Sequence, residues 1–78
     1  MNITFSKDAV KVLSRLDAPT KQRIKQAIFN IPQGDNKRLQ GKPIRYRLRV
    51  GDWRILYTSV KANIILIEAI SPRGDAYK

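Results

Sequence analysis

Apolar and polar residues follow two periods along this chain, and the order of the periods predicts its elements. Asn2-Ile3-Thr4-Phe5 alternates with a period of two and reads as a short strand. Ser6 then offers an N-cap, with Asp8 in the first turn where a helix dipole favours a carboxylate. Ala9, Val10, Val12, Leu13 and Leu16 recur at helical spacing, while Lys7, Lys11, Ser14 and Arg15 fall on other faces. Asp17 and Pro19 open a second helix with the stripe Ile24, Ala27, Ile28 and Ile31, which Pro32 and Gly34-Asp35-Asn36 stop. Alternation returns at residues 44–50, where Ile44, Tyr46, Leu48 and Val50 face one way and Arg45, Arg47 and Arg49 the other. Gly51-Asp52 fits a two-residue hairpin turn with glycine first. Residues 53–60 form the return strand, Lys61-Ala62-Asn63 a second turn, and residues 64–70 a third strand. The predicted fold is α+β, in the order β-α-α-β-β-β. An antiparallel helical hairpin packs on one face of a mainly antiparallel four-stranded sheet, and the opposite face is left for function.

The 78 residues allow a single domain, 1–78, with a thin core. The chain is 42% hydrophobic, which is too apolar for a disordered basic tail. Its longest apolar run, Ile64-Ile65-Leu66-Ile67, is far too short to cross a bilayer, and the first residues show no signal peptide. A cytoplasmic location and no membrane partner are expected. There is no Cys and no His, so thiolate chemistry, Cys-ligated zinc and imidazole catalysis are excluded. Six scattered carboxylates argue against a metal site, and no cofactor is expected.

Sixteen Lys and Arg against six Asp and Glu give a formal net charge of +10. A folded domain with that charge repels itself, which points to a negatively charged partner. The charge concentrates between Lys37 and Arg54: Lys37, Arg38, Lys42, Arg45, Arg47, Arg49 and Arg54 stand against one acid, Asp52. Strand geometry sets Arg45, Arg47 and Arg49 about 7 Å apart on one face. Like charges so placed are destabilising, whereas guanidinium forks match phosphate oxygens in pairs. The stretch is read as a phosphate-binding platform, which Arg54 joins from across the hairpin. Tyr46, Trp53 and Tyr57 fall on the apolar phase and are assigned to the core. Tyr77, in the polar tail, is the better candidate for contact with a ligand, and Arg73 lies close to it. Glu68 is the only carboxylate inside a strand predicted from the alternation. Pairing with one of the arginines is its favoured reading, and acid–base work the minority one.

These residues also meet a known pattern. Phe5-Ser6-Lys7-Asp8-Ala9-Val10-Lys11-Val12-Leu13 and Lys37-Arg38-Leu39-Gln40-Gly41-Lys42-Pro43 resemble segments of the RelE/ParE toxin superfamily. Tyr46-Arg47-Leu48-Arg49-Val50-Gly51-Asp52-Trp53-Arg54-Ile55-Leu56-Tyr57 resembles that family's "YRLRVGDYRVLY" core, and Ile70 to Tyr77 its "IGHRKDVY" ending. The resemblance spans nearly the whole chain. It implies a RelE-like toxin of a type II toxin–antitoxin pair, a ribosome-dependent endoribonuclease that cuts mRNA in the A site and inhibits translation. The implied partners are a cognate acidic antitoxin, the ribosome and mRNA. In that family the 2′-hydroxyl of a nucleotide is thought to attack the adjacent phosphate with the help of basic residues. By position Arg45 and Arg47 match the first basic pair, Arg54 the next-strand Arg, Arg73 the tail Arg and Tyr77 the tail Tyr. Lys37, Arg38, Lys42 and Arg49 are assigned to RNA binding. Two departures stand out: Pro72 replaces the tail His, and Arg replaces the Lys common in the basic pair. Arg is a poor general base. Tyr77 or Glu68 takes that role, the ribosome supplies it, or catalysis is mainly electrostatic. A ParE-like inhibitor of DNA gyrase and a non-catalytic basic nucleic-acid-binding module are the alternative functions.

Overall fold

The computed structural model describes residues 2–31, 33–41, 44–61 and 63–72. Strand β1 (Asn2–Phe5) leads into α1 (Lys7–Arg15) and α2 (Ala18–Phe29). Strands β2 (Asp35–Arg38), β3 (Arg45–Val50), β4 (Trp53–Lys61) and β5 (Ile64–Pro72) follow. The fold class is as expected, with one strand more than the four predicted. The five strands lie in the order β1-β5-β4-β3-β2, with β1 parallel to β5 and the other pairs antiparallel. The additional strand is β2, whose Asp-Asn-Lys-Arg sequence carries no apolar alternation. It pairs with β3 by backbone bonds, for which side-chain type matters little.

Local chemistry sets the helix ends. The Ala9 amide donates to Ser6 Oγ at 3.0 Å, and the hydroxyl donates in turn to the Glu68 carbonyl at 2.7 Å. One serine therefore caps α1 and fastens it to β5. Asp17 caps α2, accepting from the amide and hydroxyl of Thr20 at 3.1 and 3.0 Å, and Pro19 occupies the first turn. Those bonds hold the Asp17 carboxyl below its ordinary range, the Thr20 hydroxyl contributing most. The β3–β4 turn is glycine-first as expected: Gly51 has φ +57°, and no non-glycine residue among those described has positive φ.

The core lies between the helices and one sheet face. Ala9, Leu13, Ile24, Ile28 and Ile31 from the helical side meet Leu48, Ile55, Tyr57, Ile65, Ile67 and Ile70. Val10, placed on the apolar stripe by its spacing, is instead 52% exposed, because only the Ala9–Leu13 edge of α1 turns inward. Tyr46, Trp53 and Tyr57 belong to the core side, as their phase requires. The Tyr46 and Tyr57 rings stack with centroids 5.2 Å apart, and the Tyr57 hydroxyl donates to Asn36 Oδ1 at 2.6 Å.

Two predictions follow from these contacts. Ser6→Ala should cost about 1–2 kcal/mol in urea unfolding, since it removes a helix cap and a bond to β5. Burial, and secondarily Tyr46, push the Tyr57 phenol above its ordinary value of 10. The folded state therefore holds that proton more tightly than the unfolded chain. The resulting stability is fully present below pH about 10 and is lost as pH rises through the folded value. The difference in unfolding free energy between the protein and Tyr57→Phe should shrink above pH about 10.

Candidate nucleic-acid interface

The face away from the helices is set by sheet register. Opposite residues of neighbouring strands share a face, so Lys37 on β2 lies beside Arg47 on β3, and Arg49 beside Arg54 on β4. Arg45 lies opposite Thr58 and Arg47 opposite Leu56. Continuing into β5, Arg54 aligns with Ser71, Leu56 with Ala69 and Thr58 with Leu66. The face thus has two halves. Lys37, Arg47, Arg49 and Arg54 form a cationic half at the hairpin end, and half-buried Leu56, Leu66 and Ala69 form an apolar half.

Within the cationic half, Nε of Arg47 and both Nε and Nη1 of Arg54 are shielded from solvent. At these shielded atoms a charge acts through less screening than in open water. Arg45, about half exposed, sits apart: its Nε is 3.2 Å from Glu68 Oε2. The Thr58 hydroxyl donates to the other oxygen of Glu68. The favoured reading of Glu68 as an ion-pair partner therefore holds, and it falls on Arg45.

Arg45, Arg47, Arg49 and Arg54 share one face as the alternation implied, with Arg45 set apart by its pairing with Glu68, and Lys37 reaches that face through β2. Arg38 does not. In register with Tyr46, it belongs to the opposite face, because a single step along a strand reverses the side. Lys42, Arg73 and Tyr77 lie outside the described residues. Among the described residues no three carboxylates gather where they could hold a metal ion. Two recesses of about 220 and 290 Å³ occur on the helix side, one between α2 and the hairpin and one between the helices. The arginine residues themselves run across several strands of the sheet, an arrangement that suits an extended polymer better than a small molecule.

Sequence reasoning passed over Thr58 and the geometry at Glu68. Leu56 pairs with Ala69 while Tyr57 pairs with Ile67, so Glu68 is the extra residue of a β-bulge. No local composition marks that position, since register is decided by pairing between strands.

A family model described as the ParE toxin of the type II toxin–antitoxin system parDE matches residues 3–77. The chain belongs to that family. Solved structures similar to it include toxins of the wider RelE/ParE superfamily. The archaeal RelE–RelB complex from Pyrococcus horikoshii OT3 contains a chain 28% identical to this ParE-family protein, with a TM-score of 0.73 over 96% of this chain and 97% of that one. The RelB–RelE antitoxin–toxin complex from Methanococcus jannaschii gives 27% identity and 0.71 over 88% of each chain. The isolated RelE toxin of E. coli shares the fold alone, at 16% identity and 0.76 over 97% of this chain and 87% of that one. No curated protein matches the sequence. The family places the chain among the toxins of type II toxin–antitoxin systems. No helix among the described residues is long and apolar enough to cross a membrane.

The directly opposed cations carry a cost that stability measurements can read. Arg49→Thr removes one member of the Arg49–Arg54 pair and adds a β-branched residue. It should raise the unfolding free energy by about 0.2–1 kcal/mol at low salt. The gain should shrink in 1 M NaCl, where exposed charges are screened.

Proposed function

We propose that this toxin is a ribosome-dependent endoribonuclease that cuts mRNA in the A site and so inhibits translation in the cytoplasm. One observation supports the reading above the others: four cations, Lys37, Arg47, Arg49 and Arg54, share the sheet face away from the helices in directly opposed pairs. The arrangement opposes folding and is suited to holding phosphate.

In the proposed reaction the nucleotide 2′-oxygen attacks the adjacent phosphorus. The new O–P bond forms as the bond to the 5′-oxygen of the next nucleotide breaks, leaving a cyclic phosphate and a 5′-hydroxyl. The 2′-hydroxyl proton passes to a base and the leaving oxygen gains a proton. Negative charge grows on the phosphoryl oxygens, and fixed guanidiniums beside them stabilise that growth without reorganising. Arg54 and Arg47, shielded in part from solvent, carry this role, with Arg49 and Lys37 holding the flanking backbone. Guanidiniums stay protonated and do not remove the proton themselves. The family resemblance gives that work and leaving-group assistance to Tyr77 and Arg73. An acidic antitoxin segment laid over the same face would offset its charge and exclude RNA.

A second reading has its own support. The matching family model describes ParE toxins, and a ParE-like member would inhibit DNA gyrase and leave RNA intact. A translating ribosome extract with primer extension on the mRNA separates the two, together with a gyrase supercoiling assay. A-site cuts are the expected result, and Arg54→Ala and Arg47→Ala should each slow them by about 100-fold or more while antitoxin binding persists. Gyrase inhibition without cuts would overturn the reading in favour of the second. Salt-sensitive RNA binding with neither activity would leave a non-catalytic binding module.

A further inference from the structure

Glu68 is held in place more thoroughly than pairing with Arg45 requires. A bulge interrupts ladder bonding and re-aims a side chain, and it must be stabilised by other contacts. Here the bulged residue's carbonyl accepts the Ser6 hydroxyl at 2.7 Å, which ties its backbone to the start of α1. Its carboxylate is fixed by Arg45 on one oxygen and Thr58 on the other. An anion on a face that otherwise collects cations weakens the hold on every phosphate, whatever the base attached. A carboxylate offers about four lone-pair sites and only accepts hydrogen bonds. Two are used, and the side chain is 26% exposed, so acceptor capacity remains open at the surface.

The surroundings indicate what would use it. Arg45 is one same-face step, about 7 Å, from Arg47, a separation on the scale of one nucleotide. Beside Glu68, Leu56, Leu66 and Ala69 provide a half-buried apolar floor on which a base can lie with its edge toward the carboxylate. Adenine, cytosine and guanine carry an exocyclic amino group that donates to such an acceptor. Uracil has no amino group, and its one base-edge N–H donor, at N3, is flanked by two carbonyl oxygens that face a carboxylate unfavourably. Proton abstraction by Glu68 is the weaker assignment. It would disturb the contacts with Arg45 and Thr58 in every turnover, whereas accepting a hydrogen bond leaves both in place.

We propose that Glu68 is a specificity-determining residue that accepts a hydrogen bond from the amino group of a base near the cut and so disfavours uracil at that position. The inference rests on the ribonuclease reading. The test maps the 5′ ends of mRNA fragments in a translating extract for the unmodified protein, Glu68→Gln and Glu68→Asp. Thermal melting monitors the fold of each variant. The unmodified protein should show, at one fixed position from the cut, a bias of about fivefold or more against uracil. Gln, with an amide in place of one oxygen, and Asp, with a shorter reach, should each bring that bias towards unity while cuts continue. A folded variant that keeps the bias overturns the proposal, as does an unmodified protein with no such position. A folded Gln variant that no longer cuts assigns Glu68 to proton transfer and overturns it too. Absence of any cutting by the unmodified protein removes the ribonuclease reading, and this inference with it.

Discussion

Repulsion among the cations of the open face is the constraint to which the rest of the structure answers. Lys37 beside Arg47 and Arg49 beside Arg54 oppose the pairing of the strands that carry them. Something on the other side of the same strands must outweigh that repulsion. Leu48, Ile55 and Tyr57, on the same two strands as the arginines, are among the most buried residues of the molecule. Burying one such aliphatic side chain is worth about 1.5–3 kcal/mol, more than the cost of a like-charge pair. The alternation of β3 thus joins the charged face and its compensation within a single strand.

The helices serve this division of faces. Because α1 packs on β5 and α2 on β3, both lie on the apolar side and neither covers the arginines. Ser6 links the two levels of organisation. Its hydroxyl ends a helix on one side and holds the bulged backbone of a strand whose side chain emerges on the other. On the far edge, Asn36 receives the Tyr57 hydroxyl and so fastens the polar strand β2 to the core.

Much of this was legible in the sequence where the determining forces are local. The caps at Ser6 and Asp17, the glycine-first turn at Gly51 and the separation of Arg45, Arg47 and Arg49 from Leu48 follow from neighbouring residues alone. So do the core assignments of Tyr46, Trp53 and Tyr57. What depends on pairing between distant strands was not legible. Strand β2 has no alternation of its own and exists because β3 supplies its hydrogen bonds. Arg38 was grouped with Lys37 by proximity along the chain, yet adjacent residues of a strand point to opposite faces. The bulge at Glu68 is a mismatch of register between β4 and β5 and leaves no mark on the composition of either. Val10 shows the same limit in a helix, where spacing gives a stripe but only packing decides its edges.

The parallel pairing of β1 with β5 has a consequence for how the molecule is made. Asn2 to Phe5 align with Ile64 to Ile67, so β1 finds its partner only when β5 is available. Contacts this far apart along the chain must close a long loop before they contribute, which slows folding. Ile65, Ile67 and Ile70 complete the core from the same late strand, and Glu68 belongs to it as well. A nascent chain that has not yet reached β5 lacks the core side chains that this strand contributes beneath the arginine hairpin. The support beneath the charged face is therefore complete only once β5 has been made, after every strand that carries the arginines.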